Sequence, residues 1–122
     1  MEDKAKDCLA AFNKAMAENK ELSIEALIGV ASKLPAPRFY CTFENARRFV
    51  SLLDRGKPLP LKQENKIAMY EEIFRRYKLL VGDSGKRYKY TVLEDIIKEP
   101  APSFYLDFET FRALVYKAMK KR

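Results

Sequence analysis

The sequence predicts an all-α protein of about six helices, arranged as two tandem three-helix repeats packed into one compact domain. Three observations predict it. Only four of the 122 residues are glycine, and four of the six prolines fall in two matching triplets, which leaves long stretches free for helices. Apolar residues recur at helical spacing through most of the chain. Finally, the chain aligns with itself at an offset of 65 residues.

The self-alignment is specific. Pro35-Ala36-Pro37-Arg38-Phe39-Tyr40-Cys41-Thr42-Phe43-Glu44 falls on Pro100-Ala101-Pro102-Ser103-Phe104-Tyr105-Leu106-Asp107-Phe108-Glu109, and then Arg47 meets Arg112 and Val50 meets Val115. Nine of the sixteen positions from 35 to 50 are identical, where ordinary composition gives about one by chance. Upstream, Leu9, Phe12 and Met16 fall on Phe74, Tyr77 and Val81. Residues 1–57 therefore form repeat one and residues 58–122 repeat two. Two copies are too few for a solenoid, so they are expected to pack about a pseudo-twofold axis, each burying the other's apolar stripe.

The elements follow in order. A first helix is expected over about 3–18, with Ala5, Leu9, Phe12 and Met16 inward. Ser23 caps a second, whose buried face is Ile24, Leu27, Ile28 and Ala31, and Pro35 ends it. Thr42 caps a third with Glu44 in its first turn; Phe43, Ala46, Phe49, Val50 and Leu53 face inward, and Gly56 is the left-handed stop. Pro58 and Pro60 mark the linker to a long helix over about 61–81. Its stripe is Ile67, Tyr70, Ile73, Phe74, Tyr77, Leu80 and Val81, with Glu71–Arg75 and Glu72–Arg76 as exposed pairs. Gly82 to Gly85 make a turn. Thr91 caps a fifth helix holding Val92, Leu93, Ile96 and Ile97, and Asp107 caps a sixth that buries Phe108, Phe111, Leu114, Val115 and Ala118. The Phe-Tyr segments are short enough to be extended and to pair as a minimal β-bridge, and residues 89–92 alternate enough for another short strand.

Composition narrows the function. Histidine is absent, which removes the commonest general base and metal ligand. Cys8 and Cys41 are far apart and belong to no Cys-x-x-Cys pair, so they read as reduced core residues rather than a disulfide or metal site. No apolar run reaches the ~18 residues of a membrane span, and the charged N-terminus lacks a signal-peptide core, so a cytoplasmic protein without membrane association is expected. The net charge is +7 and unevenly placed: residues 1–65 hold 11 Lys/Arg against 9 Asp/Glu, residues 66–122 hold 13 against 8. Such an excess attracts polyanions.

Three basic elements are candidates for nucleic-acid contact. The third helix turns Arg47, Arg48, Ser51 and Arg55 outward; the sixth presents Arg112, Tyr116, Lys117, Lys120, Lys121 and Arg122. Cations spaced i,i+4 along a helix meet successive phosphates and release counterions. A solvated basic helix end at the negative pole of the dipole accounts for Lys120 to Arg122 equally well. The third element, Lys86-Arg87-Tyr88-Lys89-Tyr90, interleaves charge with rings suited to stacking, although a loop is also where solubility places charge. Repeat one has Lys20-Glu21-Leu22 in that place, which is not basic.

Other motifs read as structure. In Pro-Ala-Pro-x-Phe-Tyr, Pro35, Pro37, Pro100 and Pro102 stiffen a helix-to-helix corner, while Phe39, Tyr40, Phe104 and Tyr105 plug it into the core; an exposed, stacking aromatic pair is the competing reading. Val81 to Arg87 imitates a phosphate loop but lacks the Ser/Thr after Lys86, has Leu80 where the first glycine belongs, and follows a helix rather than a strand. Glu44 or Glu109 with Tyr40 or Tyr105 lacks a second carboxylate, so no catalysis, metal or cofactor is expected.

Each copy, three helices with a basic closing helix, resembles a helix-turn-helix-type bundle, and the tandem resembles Myb repeats. The connection before the closing helix is about eight residues against the usual ~3–4, and the Myb tryptophans are missing. The Pro-Ala-Pro-x-Phe-Tyr segment followed by a capped helix with Glu and Arg is similar to small, functionally unassigned bacterial proteins of gut genomes and mobile elements. That resemblance covers about half the chain and implies no activity. The sequence thus points to a non-enzymatic nucleic-acid-binding protein, or alternatively to an interaction module for a protein partner or a second copy.

Overall fold

The computed structural model describes residues 2–81 and 91–120. Six helices follow one another: α1 (Glu2–Glu18), α2 (Ile24–Ser32), α3 (Phe43–Asp54), α4 (Glu64–Val81), α5 (Val92–Ile96) and α6 (Phe108–Lys120). Among the described residues there is no sheet, only an isolated antiparallel bridge between Ala36 and Ala101. The turn expected over Gly82 to Gly85, and all but Thr91 and Val92 of the strand expected over 89–92, lie outside the described residues; Val92 itself opens α5.

Packing divides the chain into two compact units, one of Met1–Pro37 with Ala101–Arg122 and the other of Arg38–Pro100. The first holds α1, α2 and α6; the second holds α3, α4 and α5. The duplication and the units therefore cut the chain differently. The closing helix of each copy packs with the two opening helices of the other.

In the first unit α1 lies against both α6 and α2. Its buried face is Ala5, Cys8, Ala11, Phe12 and Ala15, rotated from the expected Ala5-Leu9-Phe12-Met16 stripe. Met16 is instead exposed. A helix flanked by two partners buries the arc between them, and small side chains there permit close approach. Leu27, Ile28 and Ala31 of α2 and Phe111 and Val115 of α6 complete this core. Phe104 meets Phe111 edge-on, with centroids 5.3 Å apart. Full burial of a side chain such as Ile28 stabilises by ~1.5–3 kcal/mol.

In the second unit α3 contributes Ala46, Phe49 and Val50, α4 contributes Met69, Tyr70, Ile73 and Tyr77, and the α5 region contributes Leu93, Ile96 and Ile97. Phe49 and Tyr70 pack with centroids 4.6 Å apart. Leu80, expected inward, is 64% exposed. The reason is length: at ~1.5 Å per residue, α4 is ~27 Å long and α3 only ~18 Å, so the last turn of α4 outruns its neighbour.

Helix ends follow local chemistry. Ser23, Thr42 and Asp107 accept hydrogen bonds from the backbone N–H groups of Ala26, Asn45 and Thr110, at 3.2, 3.1 and 2.7 Å. Thr91 occupies the N-cap of α5 without a side-chain cap bond, because its backbone is helical there. Ile24 and Phe108, both expected inward, are exposed. They are the first residues of α2 and α6, and a side chain there projects backward off the helix end. Gly56, at φ 71°, ends α3; its N–H donates to Leu53 and that of Lys57 to Leu52, the paired bonds of a Schellman motif.

The Pro-Ala-Pro triplets carry the chain between the units, at Pro37/Arg38 and Pro100/Ala101. Ala36 and Ala101, equivalent at the 65-residue offset, exchange backbone bonds: the Ala36 N–H donates to the Ala101 carbonyl at 2.9 Å, and the reverse bond is 2.8 Å. Only the central residue of each triplet has an N–H to donate. Both alanines are buried, and the flanking prolines are exposed. Phe39 and Phe104 are buried beyond them, while Tyr40 and Tyr105 are half-buried. The copies diverge here: Tyr105 adopts φ 54° and its N–H donates to Ser103 Oγ at 2.9 Å, whereas position 38 is an arginine whose guanidinium lies 5.9 Å from the Tyr40 ring.

Candidate nucleic-acid interface

The candidate site lies on the outer face of α3. With Ala46, Phe49 and Val50 turned inward, helical geometry turns Arg47, Arg48, Ser51 and Arg55 outward, and all three arginines are exposed. The Schellman turn at Gly56 then folds Lys57 and the stiff Pro58-x-Pro60 segment back beside the helix. The result is an open cleft of about 950 Å³ whose lining includes Asn45, Arg47, Arg48, Ser51, Arg55 and Lys57, with Glu44 the one carboxylate among the lining residues.

Arg55 and Arg48 are each held by a contact of their own. Arg55 Nε donates to the Ser51 carbonyl at 3.3 Å, which lays its guanidinium back along the helix. Arg48 sits 5.4 Å from the Phe49 ring, and Phe49 is in turn wedged against Tyr70. Among the described residues no salt bridge engages Arg47, Arg48, Arg55 or Lys57. The sequence pattern names the three arginines; it misses Lys57, which only the turn brings alongside. Gly56 followed by Lys57 and Pro58 is the signal that locates it.

The matching face of α6 is different. Arg112 is engaged by Glu25 of α2 at 3.3 Å and lies 5.0 Å from the Tyr116 ring. The Glu25 charge, followed by smaller contributions from Tyr116, raises the already high Arg112 pKa. Tyr116 is half-buried; Lys117 and Lys120 are exposed. Lys86, Arg87, Lys89 and Lys121 lie outside the described residues. Thus Arg47, Arg48 and Arg55 are brought together in one cleft, and Arg112, Tyr116, Lys117 and Lys120 lie on α6, in the other unit.

Arg76 plays a part that the helical pattern does not reveal. Besides Glu72 (2.9 Å), it reaches Glu99 Oε1 at 3.2 Å and the Pro100 carbonyl at 3.0 Å, and its guanidinium lies 4.9 Å from the Phe39 ring. It ties α4 to the end of the Pro-Ala-Pro crossover. Arg75, expected to pair with Glu71, bonds Glu72 instead at 2.8 Å. Hydrogen bonds from Arg75 and then Arg76 hold the Glu72 carboxyl down to about 2.

No group of three or more potential metal-ligating side chains occurs among the described residues. Burial pushes the Cys8 thiol up to about 12 and Cys41 up to about 11, which favours the protonated form of each. Among the described residues, no helix is long and apolar enough to cross a membrane. No protein family, curated protein or solved structure matches the chain.

Proposed function

We propose that this chain is a non-enzymatic nucleic-acid-binding protein of the cytoplasm that grips phosphate backbone with basic outer helix faces. The observation that carries this reading is the α3 cleft, where Arg47, Arg48, Arg55 and Lys57 face a single carboxylate, Glu44. Four cations in one groove, with the Asn45 amide and Ser51 hydroxyl as further donors, suit phosphate oxygens. The overall charge of +7 adds long-range attraction.

Mobility shifts of random-sequence duplex across a salt series test it. Binding that weakens linearly in log[salt] is expected; absence of a shift at ~50 mM salt removes the proposal. A second reading, an adaptor for a protein partner or another copy, is favoured by one observation: Leu79 and Leu80 are adjacent and 72% and 64% exposed. Light scattering coupled to size exclusion decides it, since a strictly monomeric L79S/L80S variant of an otherwise dimeric chain assigns that pair to self-association.

A further inference from the structure

We infer that the two closing helices have divided their labour: the α3 cleft is the nucleic-acid site and takes a run of several consecutive phosphates, while the α6 face is committed to structure. This rests on the nucleic-acid reading above and sharpens it.

Along α3 the outward row at i, i+4, i+8 is Arg47, Ser51, Arg55; the same row on α6 is Arg112, Tyr116, Lys120. On α3 both arginines are without a carboxylate partner among the described residues, and the small Ser51 between them leaves the groove open. On α6 the first cation is ion-paired with Glu25 at 3.3 Å and lies 5.0 Å from the Tyr116 ring, and Tyr116 occupies the middle of the row. The second cation flanking Arg47, Arg48, is replaced by Ala113. The residue equivalent to Glu25 in copy two is Tyr90, so the sequence provides no matching carboxylate for Arg47.

Length sets the ligand class. From Arg47 to Arg55 the helix rises ~12 Å at ~1.5 Å per residue. One strand of duplex presents a phosphate every ~3.4 Å of its axis and winds as it rises, so the row reaches several phosphates and at most three to four of them. A single phosphate meets only one end of it.

The test compares two triple variants, R47Q/R48Q/R55Q and R112Q/K117Q/K120Q, by fluorescence anisotropy with a random-sequence duplex. Both remove three positive charges, so diffuse attraction alone predicts equal losses. The inference predicts that the α3 variant loses more than ~10-fold in affinity and ~2.7 in the magnitude of its salt slope, with the α6 variant within ~2-fold of the parent. R47Q/K57Q, which spares the Arg55–Ser51 bond, gives a smaller loss of the same sign should the triple variant unfold. A mononucleotide is expected not to displace the duplex at concentrations where a short unlabelled duplex does. Equal losses in the two triple variants, or displacement by the mononucleotide, overturn the inference and leave nucleic-acid binding standing; a parent chain that binds no duplex overturns both.

Discussion

Arg76 and Glu72 show how a single residue decides more than its helix face suggests. A pattern read along α4 places both on an exposed side, yet Arg76 is mostly covered, bonding Glu72, Glu99 and the Pro100 carbonyl. Replacing it with glutamine strips charged hydrogen bonds from three acceptors, and we expect a loss of about 2 kcal/mol in urea unfolding. Glu72 carries a pH signature. Its carboxyl is held at about 2 in the folded chain against an ordinary 4.5. The folded state therefore favours the ionised form, and this contribution is present above pH ~4.5 and lost as pH falls towards ~2. The acid limb of stability in that window is expected to flatten in E72Q, and an unchanged limb speaks against the Arg75–Glu72–Arg76 cluster. Residues acting through nearby backbone, such as the caps Ser23, Thr42 and Asp107, were legible in the sequence because their partners lie three positions on. Arg76 was not, because Pro100 lies 24 residues away. Tyr105 was not either, since nothing in a tyrosine announces φ 54°.

At the scale of elements, the ends and crossovers of the helices matter most. Gly56 stops α3 and delivers Lys57 to the cleft. Gly56→Ala forces a Cβ into the left-handed region, so thermal unfolding is expected to register a loss of about 1 kcal/mol. Duplex affinity should fall with it if Lys57 is displaced. The Pro-Ala-Pro crossovers are tied by the reciprocal bonds of Ala36 and Ala101. Ala36→Pro removes one donor from that buried pair and is expected to cost about 1–3 kcal/mol, while Pro35→Ala at an exposed neighbour changes stability far less. Equal effects at the two positions contradict the bridge. The sequence implied a corner and allowed a minimal pairing between copies, since proline disfavours helix before it. It did not reveal that the pairing falls at the alanines. The outward row of α3 was readable from period alone, whereas Leu80, Ile24 and Phe108 were misplaced because period says nothing about where a neighbouring helix ends.

At the scale of the whole molecule, the principal finding is the exchange of closing helices between copies. Duplication hides this from a sequence reading. Val50 is equivalent to Val115, so the two closing helices share an apolar period, but their bulk differs: the buried Ala46 answers to the buried Phe111, and the buried Phe49 to the half-buried Leu114. The connections also bear on the choice. Ten residues precede α3 and eleven precede α6, each connection with two prolines, and prolines fixed near φ −65° lead the chain away rather than letting it fold straight back. The exchange also accounts for a difference in ion pairing, because it places α6 beside Glu25 of α2 while α3 packs with α4 and α5 and keeps its arginines unengaged by carboxylates among the described residues. Nuclear Overhauser contacts in the uniformly labelled full chain test this most directly. The account predicts cross-peaks from Phe111 and Val115 of α6 to side chains of α1 and α2, and from Phe49 and Val50 of α3 to α4. Cross-peaks joining α3 to α1 and α2, with α6 against α4 and α5, would contradict it.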